Sequence, residues 1–473
     1  MKAADNSRGQ CEQRQLLRQQ GRDLPTQPPP GCGPGVVAVD PFIISERRIV
    51  LSAGSQTQIS TKRVILTVLV PFGLGYYLSY LYRTVNLVIS PDLAADLALN
   101  STNLGLLTAV YFIAFAAFQT PLGVLLDQYG PRRVQSALLI FAAAGSALFA
   151  FADDFTILAI GRGLIGFGVS GCLMAALKAN VLWFPRERLS LFNGLTVAFG
   201  AFGALSATVP VEILLNQMGW RTIFSILSGM TILVAVLTYL VVPERGASQL
   251  SARRGTASIS EQLRGLSVVY KTSFFWRISL VTFIHNGTYL AYQSLWMGPW
   301  LRDVGGFAGS AIADMLLWFN AGMFAGVIGI GVLADRLQRF GIKPIVMVGV
   351  GIFGSIVVQL MLALEAVSFA LPLCVAFGFF GSSTLLAYSV FGQHFAVETI
   401  GRVNTAQNML TFIAAFAVQW GVGAIIGLWP VLADGRYDPA GHQAALLMMV
   451  GLETIAFVWF VWPRRETVTG SGE

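Results

Sequence analysis

Charge is what this sequence has least of. Aspartate, glutamate, lysine and arginine make up 12% of its 473 residues, about half the ~25% of a soluble globular domain. That shortage excludes an ordinary water-facing surface. Histidine is scarcer still. His285, His394 and His442 are scattered along the chain, which leaves no cluster for a metal ion. The four cysteines, Cys11, Cys32, Cys172 and Cys374, show no metal spacing, two lying in the tail and two in separate apolar runs, so neither a metal site nor a structural disulfide is expected. No glycine-rich loop runs into Lys-Ser or Lys-Thr, which argues against ATP hydrolysis. The chain reads as a protein that is not an enzyme and carries no cofactor.

What is present is apolar length. Residues of the Ala, Val, Ile, Leu, Met, Phe, Trp, Tyr and Cys class make up 55% of the chain. They fall in uncharged runs of about twenty residues, the length that crosses a hydrocarbon core of ~30 Å. Twelve such runs follow one another from Val64, six on each side of a basic linker at about 244–277. The expected fold is an all-α integral membrane protein of twelve transmembrane helices in two pseudo-symmetric six-helix bundles. The bundles occupy 61–243 and 278–465, the linker 244–277, and tails 1–60 and 466–473. Residues 1–60 are rich in Gln, Arg, Gly and Pro and are expected to be a disordered cytoplasmic tail. No apolar run begins before Val64, so no cleavable signal is expected there. Within the linker, Ile259–Trp276 reads as an amphipathic helix at the membrane surface.

A net charge of +7 would suggest nucleic acid in a soluble protein. Here the bases sort by side. Fourteen fall in the loops after alternate spans, from Arg132 to Arg402, against Arg221, Arg302 and Arg436 in the opposite loops. An excess of Lys and Arg marks the cytoplasmic face, so both termini are expected inside and no nucleic-acid partner is expected.

Two loops echo one another. The first is Gly123-Val-Leu-Leu-Asp127-Gln-Tyr-Gly130-Pro131-Arg132-Arg133; the second, looser, is Gly331-Val-Leu-Ala-Asp335-Arg336-Leu-Gln-Arg339-Phe-Gly341-Ile-Lys343. Each has a small residue, an acid one turn on, then glycine and bases. A second echo follows spans 4 and 10, where Arg188 and Asn193, and Arg402 and Gln407, are each five residues apart. The chain reads as a duplication.

Twelve spans in two halves, the central linker and the Gly-x-x-x-Asp-x-x-Gly-x-Arg-Arg loop resemble the major facilitator superfamily over about residues 62–465. Arg162-Gly-Leu-Ile-Gly166-Phe-Gly168 is similar to that superfamily's second motif. The first span, Tyr76-Tyr77-Leu-Ser-Tyr80-Leu-Tyr82-Arg83 followed by Pro91, resembles the sugar-phosphate permease and anion:cation symporter branch. The resemblance implies secondary transport by alternating access, an anion-binding arginine at Arg83 and a functional base at Lys178. Phosphate-specific members carry a second arginine in span 7. This chain has Arg277 and Arg302 only at the ends of that span, which argues against an organophosphate substrate.

The residues themselves support a site. A cation within a span costs ~2.5–3.5 kcal/mol on insertion scales, so it turns toward a wet cavity or a partner. Tyr76, Tyr80 and Arg83 share one helix face at i, i+4 and i+7, and guanidinium with phenols is a receptor for carboxylate or phosphate. The other reading of Arg83 is a side chain reaching the outer interface. Lys178 stands between a substrate or gate role and reaching the inner surface, while Arg162 reads as structural. His285, Tyr289 and Tyr292 share a face of span 7 and read either as a substrate wall or as helix packing with a satisfied histidine. Glu453 is central in span 12 and reads as packing, with a proton-carrying role for it or His285 left open. The paired loops, with Gly123, Asp127, Gly130, Arg132, Arg133, Asp335 and Arg336, read either as a topology signal or as a gate, in which Asp127 pairs with Arg132, Arg133 or a base of a neighbouring span to hold the cytoplasmic side shut in the outward-open state and lets go when it opens.

The expectation is a monomeric secondary transporter in the inner membrane lipid bilayer. It moves a small organic anion by symport or exchange, with a proton or counter-anion as partner. An exporter of drug-like or metabolite compounds is a rival, weakened by the lack of deep acids in the first half. A transporter-like membrane receptor is another, weakened by the lack of a signalling domain in tail or linker.

Overall fold

The computed structural model describes residues 61–185, 188–244, 266–395 and 397–462. The expected tail 1–60, residues 245–265 of the linker and the segment 466–473 lie outside them. The described chain is helical, with one isolated bridge between Val431 and Tyr437.

A π-helical turn, Ile65–Leu69, leads into α1 (Val70–Thr84). There follow α2 (Asn86–Asp96), α3 (Ser101–Ala150), α4 (Phe155–Val169), α5 (Cys172–Trp183), α6 (Leu189–Ser206) and α7 (Val209–Val241). Beyond the linker come α8 (Ser273–Ala291), a π-helical turn Tyr292–Trp296, and α9 (Met297–Asp303). The chain ends through α10 (Ser310–Gln338), α11 (Pro344–Ala363), α12 (Ala370–Gly381), a 3₁₀ turn Ser382–Leu385, α13 (Leu386–His394), α14 (Val397–Ile426) and α15 (Pro439–Val461). Nine helices among the described residues are long and apolar enough to cross a membrane.

Local chemistry sets several of the boundaries. The Asn100 side chain accepts from the Asn103 amide at 2.8 Å to open α3, and Asp154 accepts from Thr156 and Ile157 at 2.7 and 2.9 Å to open α4. Asp438 does the same for α15 through Ala440 at 2.9 Å. Each such cap is worth ~1 kcal/mol.

Helix α3 has 50 residues, about 75 Å at 1.5 Å per residue, more than twice the thickness of a bilayer core. It is broken at Gly130, whose φ of 78° and ψ of 161° are not helical. The packing on α4 shows what the break does. Before it, Tyr111 lies beside Gly166 and Leu122 beside Gly171; after it, Leu138 lies beside Gly171, Ala142 beside Gly168 and Gly145 beside Gly161. The first arm of α3 therefore runs parallel to α4 and the second antiparallel. Glycine reverses the chain here because a Cβ penalises this φ.

The same arrangement recurs beyond the linker. Helix α10 runs parallel to α12, with Gly322 against Val375 and Gly326 against Phe379. Helix α11 runs antiparallel to it, with Gly354 against Phe380 and Gly351 against Ser383. The loop between α10 and α11 holds Gly341 at φ 83°, matching Gly130 at φ 78°. Small residues permit this close approach where water is absent and the hydrophobic effect cannot press helices together.

The outer surface is apolar. Phe202, Leu240 and Ile455 are 64%, 71% and 70% exposed, an arrangement suited to lipid and costly in water. Inside, the first arm of α3 packs along α14. Gly105 meets Gly423 at one end, the tilted rings of Phe115 and Phe412 meet at a 4.1 Å centroid separation in the middle, and Gln119 meets Asn408 at the other end.

Candidate functional site

A cavity of about 670 Å³ lies between α1, α3, α5, α8, the Ser382–Leu385 turn and α14. That volume falls within the ~300–1,000 Å³ of small-molecule sites. It extends to Asp127, Lys178, Gly401 and Thr405 at the Gly130 end, where Asp127 is 71% exposed. At the opposite end the π-turn and α9 close it. Trp296, Met297, Trp300 and Leu301 are buried there, Gly298 abuts the Leu87 carbonyl, and the Trp296 indole donates to the Gln419 carbonyl at 3.0 Å. Among the described residues the cavity therefore opens toward the Gly130 side in this conformation.

One wall is made by α1. Its spacing places Tyr76, Ser79, Tyr80 and Arg83 together on the cavity. The Arg83 guanidinium is buried among rings, with its carbon 4.6 Å from the centroid of Tyr80, 5.6 Å from Phe115 and 5.4 Å from Phe412. Tyr76 and Tyr80 meet edge to face at 5.2 Å. Among the described residues no carboxylate lies within ion-pair reach of Arg83, and its Nε has no partner. Ring faces attract the cation by ~0.5–2 kcal/mol each. They do not offset desolvation of a full charge, which costs several kcal/mol.

The facing wall is neutral. Asn286 accepts from Thr384 at 2.6 Å and donates to Thr411 at 3.3 Å. Gln407 accepts from Ser279 at 2.7 Å and donates to Thr282 at 2.9 Å. Tyr289 lines the cavity with its hydroxyl unpartnered. Asn408 donates to Gln119 at 3.2 Å across the two walls, and Gln119 donates to the Ser170 carbonyl at 3.3 Å. A ring of amides and hydroxyls opposite one cation can hold a polar anion by its charge and orient its remaining oxygens.

The other expected residues fall as follows. Lys178 lines the cavity at its open end, where Nζ donates to Asp127 at 2.5 Å and to the Leu126 carbonyl at 2.6 Å. Gly123 also lines it. Arg133 pairs with Glu244, and the Arg132 guanidinium sits 4.8 Å from the Tyr239 ring centroid. Of the bases expected around Asp127, it is the one on α5 that reaches the acid. Arg336 is exposed, and the Asp335 side chain lies outside the described residues.

His285 and Tyr292 do not line the cavity. Tyr292 packs behind it, 5.8 Å from the Phe377 ring. His285 is shielded by Gly381, whose carbonyl lies 3.3 Å from its Nε2, while its Nδ1 lies 2.7 Å from Glu453. Glu453, expected to pack in a peripheral helix, is fully buried and also accepts from Gln359 at 2.6 Å. Arg162 is fully buried behind the α1 wall, 5.1 Å from the Tyr111 ring.

Several wall residues were not singled out from sequence as site residues: Gln119, Thr384, Asn408, Thr411, Phe115 and Phe412. For the amides the signal existed, since a Gln or Asn in the middle of an apolar run is costly unless it meets a partner or a cavity. For Phe115 and Phe412 there was none, because a phenylalanine in a span is ordinary until the fold puts a guanidinium beside it.

Comparison with known proteins adds the relationship. Residues 72–418 match the family model described as Major Facilitator Superfamily. A probable sulfoacetate transporter of Cupriavidus necator is 24% identical over 423 residues, covering 85% of this chain and 94% of its own. The hexuronate transporter of Escherichia coli K12 is 23% identical over 395 residues, covering 76% and 88%. Among solved structures, a bacterial homologue of the human lysosomal transporter Spinster, inward-facing and unoccupied, superposes with a TM-score of 0.69 at 18% identity, covering 85% of this chain and 97% of its own.

Proposed function

The chain belongs to the Major Facilitator Superfamily, and on that premise we propose that it carries small organic anions across the inner membrane, with Arg83 as the anion receptor. Membership makes it a multi-pass membrane transporter that works as a secondary carrier, and not an enzyme. The observation that carries the anion reading is the cation–ring cage at Arg83 inside the cavity, with no carboxylate to neutralise it. Tyr76, Tyr80 and Tyr289 serve as hydroxyl partners and Gln119, Asn286 and Asn408 as amide partners. The relatives that transport sulfoacetate and hexuronates support the same class.

The rest of the reading follows from alternating access. The chain crosses the bilayer twelve times, six in each half, with α3 and α7 each supplying two arms about Gly130 and Gly219. Residues 61–243 and 278–465 rock about the cavity, and both termini are cytoplasmic. The conformation described is then inward-open, with the π-turn and α9 as the outer seal. The Gly123–Arg133 loop and its second copy with Asp335 and Arg336 belong to the inner gate; the Asp127–Lys178 pair is formed while the inside is open, so it orders the open side and is not the contact that holds it shut.

The test is purified protein in detergent and in liposomes, with glucuronate as a monoanion and sulfoacetate as a dianion. Wild type is expected to be thermally stabilised by at least one of them and to exchange it by counterflow. Arg83→Ala is expected to lose both responses. Normal binding and counterflow by Arg83→Ala would remove the anion site from Arg83, and stabilisation by neutral or cationic compounds alone would overturn the substrate class.

A further inference from the structure

Helix α15 is joined to the α8–α9 segment by two buried histidine–carboxylate pairs of opposite sense. Near the Gly381 level, His285 of α8 meets Glu453 of α15 at 2.7 Å; nearer the closed end, Asp303 of α9 meets His442 of α15 at 3.1 Å. All four side chains are inaccessible. Their proton inventories differ. Asp303 also accepts from the Arg302 guanidinium at 2.6 Å. With His442 donating through Nε2 and its Nδ1 unpartnered, that cluster is complete with a neutral ring, one acid and one arginine. It needs no further proton.

The inner pair has no such arginine. The Gly381 carbonyl beside His285 Nε2 can only accept, so Nε2 carries hydrogen. Glu453 Oε2 accepts from the Gln359 amide at 2.6 Å. The 2.7 Å contact between Nδ1 and Oε1 then holds one more proton, whether it is drawn on the ring or on the acid. Without it, a ring lone pair would face a buried carboxylate bearing an unneutralised charge.

Among the described residues no other ionisable group is paired with His285 or Glu453. Helix α11 contains no titratable residue and α12 only Cys374. Helix α8 adds Tyr289 and, two turns from His285, Arg277, which donates to the Phe460 carbonyl at 3.1 Å. In α14 the charged residues are Glu398 and Arg402, both in its first two turns. Helix α15 adds only His442, three turns away, and α13 contributes Tyr388 and His394.

We propose that His285 and Glu453 form the proton site of a proton-coupled cycle, loading one proton for each anion moved. The proposal rests on the anion reading of the cavity. Gly381 and Tyr289 are the partition between the two sites: both line the cavity, and the Tyr289 ring packs directly on Gly381. The π-turn Tyr292–Trp296 follows one turn beyond Tyr289 and leads into the seal. Single π-turns of this kind mark functional positions and allow a helix to shift register. The proton enters from outside when the seal opens, rests between Nδ1 and Oε1, and leaves to the inside when Tyr289 and Gly381 part. It exits through Nε2, the ring atom nearest the cavity wall.

Glu453→Gln separates this from a packing role. The amide can donate to Nδ1 and accept from Gln359, so it copies the protonated acid and folds, but it has no proton to release. In liposomes, with glucuronate and sulfoacetate as probes, wild type is expected to perform both counterflow and accumulation driven by an inward proton gradient. Glu453→Gln should keep counterflow within about twofold and lose at least nine-tenths of gradient-driven accumulation. Accumulation by Glu453→Gln equal to wild type overturns the proposal, and so does a wild type that exchanges its substrate but ignores the proton gradient. If neither anion exchanges and a neutral compound does, the anion reading fails, and the same two modes measured with that compound still decide the proton site.

Discussion

On the α1 wall a guanidinium faces the cavity with no counter-ion, while on the α8 wall the ionisable groups lie behind the surface and neutralise one another. Arg83 touches rings from both walls, at 4.6 Å to Tyr80 and 5.4 Å to Phe412. Among the described residues, the hydrogen-bond partners of the His285 and Glu453 side chains are each other, Gln359 and a backbone carbonyl. The difference teaches where each kind of charge can be kept in a membrane. On the proposed anion reading, a permanent cation is tolerated at the cavity because an arriving anion completes it. A titratable pair is tolerated in the dry interior because it can carry its compensating proton with it.

The contrast is broken most severely by removing one partner from the neutral pair. Glu453→Ala leaves the Gln359 amide and the His285 ring without an acceptor or donor, and should destabilise the protein by about 3–5 kcal/mol. Glu453→Gln should stay within about 1 kcal/mol of wild type, because both hydrogen bonds persist. Chemical denaturation in mild detergent measures both; equal losses would show that the pair acts by its charge and not by its hydrogen bonds. Next in size are the matched glycines of the two halves. A Cβ at Gly166 would strike the Tyr111 backbone, and one at Gly378 would strike the Phe319 backbone. Ala at either position should cost about 1–3 kcal/mol by overpacking. A loss at only one of them would mean that the halves do not share this packing.

The smallest stability effect is expected at the gate. Asp127 is 71% exposed, so Asp127→Asn should change stability by under ~1 kcal/mol, as for exposed ion pairs. Its effect should fall instead on the rate of transport, with anion affinity near wild type. Unchanged transport would reduce the Asp127–Lys178 pair to a surface contact.

Much of this was legible in the sequence, and the exceptions have physical causes. The repeated Gly-x-x-x-Asp loop marked where the chain reverses, and Gly130 and Gly341 share left-handed φ values of 78° and 83°. Tyr76, Tyr80 and Arg83 were legible because a helix face is a local property, fixed by i, i+4 and i+7 spacing. The same spacing linked His285 to Tyr289, but could not show that α12 covers the first with Gly381 and leaves the second at the cavity. Glu453 was unreadable for a similar reason, since its partner lies 168 residues earlier. The Gln119–Asn408 bond crosses 289 residues and depends on how the two walls meet. The π-turn at Tyr292–Trp296 is a change of backbone register that apolar spacing does not encode.

Arg83 as a reader of charge is tested most directly by a ratio of affinities, which does not depend on absolute stability. Calorimetric titration of wild type with glucuronate and with glucose, its neutral counterpart, should show at least ~100-fold preference for the anion, the scale of two charge-assisted hydrogen bonds at ~1.5 kcal/mol each. In Arg83→Ala that preference should collapse to about one. A preference that survives the substitution would contradict the account, as would a wild type that binds glucose as tightly as glucuronate.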